Sequence, residues 1–262
     1  MISDYREIEN SYIQNFSKKE DCGDYLRFYD DKLPGMYAFN FILIKESMES
    51  GNIHGFVCNI LEQAKASSKE FLKILLHPQI SIDEHLKSKF IEGGFELKTN
   101  IYMKLNNEKL DGFKLNGDCT VKIASKETEF KDVAVLDIKT CVESGIPEAF
   151  ANEKSARKGG VYKSSDRNLK AYVSYLGDVP VGKCELYLDH GYAKIEDFDV
   201  IEKYQRRGIG TAMLKTMITD ARGRKAENIY LIADKDDTPK EMYLKLGFEI
   251  IAEEYELWLS LQ

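Results

Sequence analysis

Tyr5, Ile8, Tyr12, Ile13 and Phe16 recur at helical spacing along one face, so the chain is expected to open on an amphipathic helix. Met36 to Ile44 (MYAFNFILI) is short and almost wholly apolar, which predicts a buried strand. Phe71 to Leu76, closed by His77-Pro78, predicts another. Ser81 with Glu84 three residues on has the form of a capping box, so a helix should run from there to Gly93-Gly94. Two strand-like pieces follow, residues 95–97 and 101–105. The stretch from Asn106 to Asp118 (NNEKLDGFKLNGD) turns polar and glycine-containing and predicts a linker. It divides the chain into domains 1–115 and 116–262.

The second part restarts with a strand at Val121–Ile123. Helices are expected from Phe130 to Val142 and from Pro147 to Lys158, the second with proline in its first turn. Arg157-Lys158-Gly159-Gly160, with Lys163 and Arg167, reads as a loop of local positive charge, a ligand-facing edge or a solvated face. Residues 169–176 and 179–188 flank Gly177-Asp178 as a hairpin, and 192–200 make a third strand. Met213, Leu214, Met217, Ile218 and Ala221 share one face of a helix over 211–222. A strand (228–233), a short helix (238–246) and a last strand (248–259) complete an α/β mixture. The order strand, helix, Gly-Phe-Glu, strand occurs twice: Gly94-Phe95-Glu96 and Gly247-Phe248-Glu249 lie 153 residues apart. The echo suggests that the two parts share a fold.

At 262 residues the chain suits one large domain or two modest ones, and 43% hydrophobic with 31% charged residues is a globular composition. A formal net charge of −7 argues against a reader of phosphate backbones, so no nucleic-acid partner is expected. No apolar stretch reaches membrane-spanning length, and the N-terminus carries acids where a signal peptide needs a basic start. The expectation is a cytoplasmic protein with no membrane partner. Five scattered cysteines and four histidines have no ligand spacing, so reduced, buried thiols and no metal are expected.

The informative segment is Val200 to Thr211 (VIEKYQRRGIGT), in which a strand end, a loop with two glycines and a helix start follow directly. Gly208 and Gly210 let the backbone come close to a ligand. The amides of the loop and first helical turn, with the helix dipole, favour an anion, and Arg206 and Arg207 add charge at the rim. This chemistry suits a diphosphate. The third glycine of a dinucleotide fingerprint and the Gly-Lys-Ser/Thr of a nucleotide-triphosphate loop are both missing.

Gln205-Arg206-Arg207-Gly208-Ile209-Gly210 resembles the Gln/Arg-x-x-Gly-x-Gly/Ala acyl-CoA signature of the GCN5-related N-acetyltransferases (GNAT). Residues 238–248 (TPKEMYLKLGF) resemble that family's Tyr-x-x-x-Gly-Phe motif. The resemblance covers roughly 118–262, and the first part looks like a degenerate copy without the cofactor loop. The chain as a whole resembles a tandem member.

The resemblance implies an α/β mixed sheet in which two parallel strands splay apart near Val200 and Ala233. Acetyl-CoA would act as cosubstrate, its pantetheine arm against Phe198, Val200 and Ile201. Its diphosphate would rest on the amides of Arg206 to Thr211, that is Arg206, Arg207, Gly208, Ile209, Gly210 and Thr211. Asp236 stands where the family often has an asparagine near the pantetheine, and Asp237 is expected to cap the helix at Thr238.

The resemblance also implies that Tyr243 would take the position of the acid that protonates the leaving thiolate. An amide near Val200 would stabilise the oxyanion. Glu196 is the first choice of base, with Asp197 and Asp199 as alternatives. Strand alternation puts Lys194, Glu196, Phe198 and Val200 on one face and Ile195, Asp197 and Asp199 on the other. The implied activity is acetyl transfer to a primary amine of a small molecule or peptide, in a monomer or homodimer. The competing readings are a catalytically inactive acyl-CoA-binding regulatory protein and a nucleotide-binding enzyme.

Overall fold

The computed structural model describes residues 1–67, 69–106, 117–164, 168–237 and 239–261. In chain order its elements are α1 (Ile2–Ile13), β1 (Lys18–Asp21), β2 (Tyr25–Tyr29), β3 (Phe41–Ile44), α2 (Ser50–Ala66), β4 (Phe71–Leu76), α3 (Glu84–Glu92) and β5 (Glu96–Leu105). Then come β6 (Cys119–Ile123), α4 (Glu127–Glu143), α5 (Glu148–Tyr162), β7 (Leu169–Leu176), β8 (Val179–Asp189) and β9 (Tyr192–Val200). A 3-10 turn (Glu202–Tyr204), α6 (Ile209–Gly223), β10 (Asn228–Asp234), α7 (Pro239–Lys245) and β11 (Phe248–Ser260) complete the chain. The expected linker falls almost wholly on 107–116, outside the described residues, as do Arg167 and Thr238.

Several expectations need correction. The apolar run from Met36 is a strand only from Phe41. Before it, the Asn40 side chain donates to the carbonyls of Leu33 (2.9 Å) and Met36 (2.8 Å) and accepts the Asp30 amide (2.8 Å), which folds the chain into turns. The cap of α3 is Asp83, whose carboxylate accepts the Leu86 amide at 2.8 Å, and not Ser81. The two pieces expected around 95–105 are one strand, β5. The basic loop at Arg157 to Gly160 is helical, because α5 continues through both glycines to Tyr162. Of the five cysteines, all free, Cys141 and Cys184 are buried and Cys58 is exposed.

The chain divides into two compact units. One comprises Met1–Tyr102, Ala233–Lys240 and Ile250–Gln262, and the other Met103–Ile232 and Glu241–Glu249. The first unit has strand order β1-β2-β3-β4-β11-β5, so the C-terminal strand lies between β4 and β5. Ile44, Ile53, Ile74, Leu76, Phe90 and Leu257 pack as its core. β3 and β4 are parallel, in register from Ile42↔Ile74 to Ile44↔Leu76. Arg6 of α1 meets Glu254 of β11 at 2.8 Å, and the Tyr102 hydroxyl donates to the same carboxylate at 3.1 Å, all three buried.

The second unit has order β10-β9-β8-β7-β6, with β10 and β9 parallel and the other pairs antiparallel. Its sheet has two different faces, because successive side chains of a strand alternate. Cys184 of β8 touches Met217 of α6, and the Tyr172 hydroxyl of β7 bonds Asp220 of α6. On the other face, Lys183 of β8 and Tyr175 of β7 reach Asp137 and Asp132 of α4. Among the described residues no helix is long and apolar enough to cross a membrane.

Candidate active site

The end of β9 is irregular in a way that decides where its side chains go. β8 and β9 pair regularly to Glu185↔Glu196, and the next pair on that side is Lys183↔Asp199. Two steps on β8 therefore face three on β9, which is a bulge. Asp197 sits at φ +50, a left-handed backbone that non-glycine residues seldom adopt. The simple alternation expected for this strand breaks here. Asp197 and Asp199 join Lys183, at 2.5 and 3.0 Å, on the face of α4 and α5. Glu196 shares that face by its register with Glu185, so Phe198 parts from Glu196 and turns to the α6 side. The parallel ladder with β10 ends at Leu231↔Ile195, and β9 runs on to Val200 beyond it.

At Val200 the chain turns into the loop. The Ile201 amide donates to the Val181 carbonyl (3.0 Å), and the Gln205 side chain donates to the Val200 carbonyl (2.9 Å), which braces the turn. Arg206 and Gly208 have φ values of +58 and +77. Helix α6 begins at Ile209, two residues earlier than its apolar face suggests. The Ala212 amide bonds the Gly208 carbonyl at 3.0 Å, so the amides of Ile209, Gly210 and Thr211 precede the helix's own bonds. Arg206 and Arg207 are exposed. The Arg207 guanidinium lies 5.5 Å and the Lys203 ammonium 4.8 Å from the Tyr204 ring centre, a cationic rim beside a helix N-terminus.

Gly210 is a point of close approach. A Cβ there would lie 3.4 Å from Met242 Sδ of α7 and 3.5 Å from Phe198 Cε1 of β9. The Tyr243 ring, 7% exposed, packs edge-on to Phe198 (6.3 Å) and Phe248 (6.0 Å). Phe198, Gly210 and Tyr243 are thus brought together. Glu196 is not with them: its carboxylate lies 2.8 Å from Lys194 Nζ and is partly exposed. Asp236 is exposed in the turn after β10, its amide bonded to Asp234 Oδ1 at 2.9 Å.

Beside the bulge lies a buried ionic cluster that sequence reasoning missed. Lys158 of α5 meets Glu185 and, at 2.7 Å, Asp197. Lys154 and Lys183 share Asp137 Oδ1, at 3.0 and 3.1 Å, and the Tyr162 hydroxyl donates to Glu185 at 2.5 Å. Burial alone would raise the Asp197 pKa, but Lys158, Lys183 and Lys154 outweigh it and hold this carboxyl well below its usual range. Burial likewise works against the Lys158 and Lys183 ammonium groups, and the carboxylates reverse it and raise both. The only signal available beforehand was the reading of 157–160 as helix rather than loop, which would have put Lys154 and Lys158 on one face, four residues apart.

Residues 140–248 match the model of the Acetyltransferase (GNAT) family. Along nearly its whole length the chain is 27% identical, over 255 residues and 95% of both chains, to "Uncharacterized N-acetyltransferase CgeE" of Bacillus subtilis (strain 168). Among solved structures, a functionally unknown conserved protein from Staphylococcus epidermidis superposes with a TM-score of 0.78 at 20% identity over 97% of each chain. A GCN5-related N-acetyltransferase from Kribbella flavida does so with a TM-score of 0.71 at 13% identity, over 98% of this chain and 95% of its own. The GNAT-type fold therefore extends beyond 140–248 to the full chain.

Proposed function

We propose that the protein is an acetyl-CoA-dependent N-acetyltransferase that moves the acetyl group to a primary amine of a small molecule or peptide by direct attack. The observation that carries this reading is the cradle after β9. Two left-handed residues, first-turn amides of α6 and an arginine rim suit a diphosphate, and Tyr243 packs beside the strand end that leads into the cradle.

Acetyl-CoA, when bound, supplies an acetyl group activated as a thioester. The amides from Arg206 to Thr211 hold its diphosphate, Gln205 braces the turn, and Phe198, Val200 and Ile201 flank the pantetheine. In the transfer the amine nitrogen forms the new bond to the acetyl carbon as the carbon–sulfur bond breaks. The Tyr243 hydroxyl gives its proton to the departing sulfur. Glu196 takes the amine proton, through water because it lies on the face of β9 away from Phe198.

We assign one cofactor site per chain and read residues 1–115 as a degenerate copy. In the first unit the parallel ladder reaches Ile44↔Leu76 and is prolonged by the His77 amide bonding the Ile44 carbonyl at 3.0 Å, so β3 and β4 stay paired to the last residue of each.

Calorimetry with acetyl-CoA, followed by thiol release across a panel of amines, tests the proposal. Binding with amine-dependent thiol release supports it. Binding with no turnover on a broad panel favours an acyl-CoA-binding regulator, and binding of ATP or NAD in place of CoA refutes the cradle assignment.

A further inference from the structure

The bulge in β9 exists in a backbone conformation that aspartate does not prefer, and the side chain of that same aspartate is held from two sides by buried lysines. Asp197 has φ +50. Its Oδ2 lies 2.7 Å from Lys158 Nζ and 2.5 Å from Lys183 Nζ. Lys158 is anchored in turn by Glu185, and Lys183 by Asp137 (3.1 Å) and Asp199 (3.0 Å). The Lys183 and Lys158 side chains are 2% and 5% exposed. Such groups stay charged only because their partners surround them. A strand that alternated regularly through this point would take Phe198 to the opposite face, away from Gly210 and Tyr243. The clamp and the aromatic contact are thus opposite ends of one displacement of the chain.

We propose that Lys158 and Lys183 are positioning residues for the acyl-CoA site: by gripping Asp197 they hold the bulge that turns Phe198 toward Gly210 and Tyr243. The inference rests on the acetyl-CoA reading for its functional consequence but not for its structural one. Neither lysine touches the reacting groups. Their effect passes through the backbone of residues 196–200.

The test compares Asp197→Gly with Asp197→Ala, and Lys183→Met in the wild-type and Asp197→Gly backgrounds. Glycine takes a positive φ without a clamp, and alanine does not. Both substitutions remove the same carboxylate and leave Lys158 with Glu185 and Lys183 with Asp137 and Asp199. Three readouts are taken on the intact chain: melting temperature, ring-to-ring cross-relaxation between Phe198 and Tyr243 by NMR, and the acetyl-CoA Kd by calorimetry.

Asp197→Gly should keep the ring contact and bind acetyl-CoA within about twofold of wild type. Asp197→Ala should lose the contact and bind about tenfold more weakly, the cost of one left-handed alanine. Lys183→Met should weaken binding in the wild-type background and do so much less in the Asp197→Gly background. A role confined to stability would lower melting in all variants and leave the ring contact and Kd of the folded fraction unmoved. That result, or equal behaviour of the Asp197→Gly and Asp197→Ala variants, overturns the proposal. Should Lys183→Met fail to fold, Lys158→Met in the same two backgrounds decides by the same readouts. If wild type itself does not bind acetyl-CoA, the cofactor reading fails, and the ring contact judges the clamp alone.

Discussion

Gly208 is where backbone geometry and ligand charge can be separated by two substitutions. Its φ of +77 caps α6 in the left-handed region. Alanine there should cost about 1 kcal/mol of stability, roughly 2–4 °C in melting temperature for a protein of this size. Glutamate carries the same backbone cost and also places a carboxylate at a helix N-terminus, which offsets about 0.5 kcal/mol of it. Gly208→Glu should therefore melt no lower than Gly208→Ala.

Binding should behave the other way. A carboxylate about 4 Å from one phosphate charge is opposed by about 1 kcal/mol in water and about 4 kcal/mol at an effective dielectric of 20. Acting on a diphosphate, the penalty reaches at least about 2.7 kcal/mol, or about 100-fold in Kd. Calorimetry with acetyl-CoA should thus show a modest loss for Gly208→Ala and near-abolition for Gly208→Glu. The gap should narrow at high salt, because exposed charges at this rim are screened. Wild-type affinity in Gly208→Glu would refute the diphosphate assignment. Equal losses in the two variants would show that only the backbone conformation matters there.

Tyr243→Phe keeps the ring that packs on Phe198 and Phe248, so melting and acetyl-CoA affinity should hardly move while turnover falls about 10²–10⁴-fold; an unchanged rate removes Tyr243 as the acid. Gly182→Ala would set a Cβ 2.8 Å from both the Asp199 carbonyl and Ser174 Oγ, so about 1–3 kcal/mol of stability should be lost in a denaturant titration. Asp197 has a depressed folded-state pKa, so its contribution is complete above the unfolded value near 4 and is lost as pH falls toward the folded one. Asp197→Asn should cost about 3 kcal/mol at neutral pH, and the difference from wild type should shrink progressively below about pH 4 in melting curves. Calorimetric titration should give one acetyl-CoA per chain, and a second site of similar affinity would contradict the reading of residues 1–115.

What could be read beforehand follows from how local each feature is. The cradle was legible because its chemistry lies in consecutive residues: a loop, two glycines and a helix with a clear apolar face, whose start was misplaced by only two positions. β1 was invisible because KKED is exposed throughout and owes its strand form to pairing with β2 alone. α2 was obscured by Gly51 and Gly55, although Ile53, Val57, Ile60 and Ala64 make its buried stripe. Alternation put Asp197 and Asp199 together and opposite Phe198, but the facing of Glu196 could not be read, because a bulge is decided by a neighbouring strand. The place of β11 between β4 and β5 is likewise a fact of pairing, which no pattern within residues 248–260 specifies.

The Gly-Phe-Glu echo finds a physical counterpart and also a limit. Gly94 and Gly247 have φ of +90 and +88, each between a helix and the strand that follows it, so both copies turn the chain with the same left-handed joint. The two parallel strand pairs that precede these joints differ where function is concerned. In β3 and β4 the ladder closes to the last residue of each strand, and α2 starts after an extended Glu49. In β9 and β10 the ladder stops at Ile195↔Leu231, and a bulged strand end feeds a glycine-capped helix. A parallel pair that stays closed satisfies its own backbone and offers a ligand nothing, whereas one that stops early exposes amides and carbonyls that a polar, extended group can pair with. The shared joint is a matter of folding; on the function proposed above, the early stop is what distinguishes the pair β9 and β10 from β3 and β4.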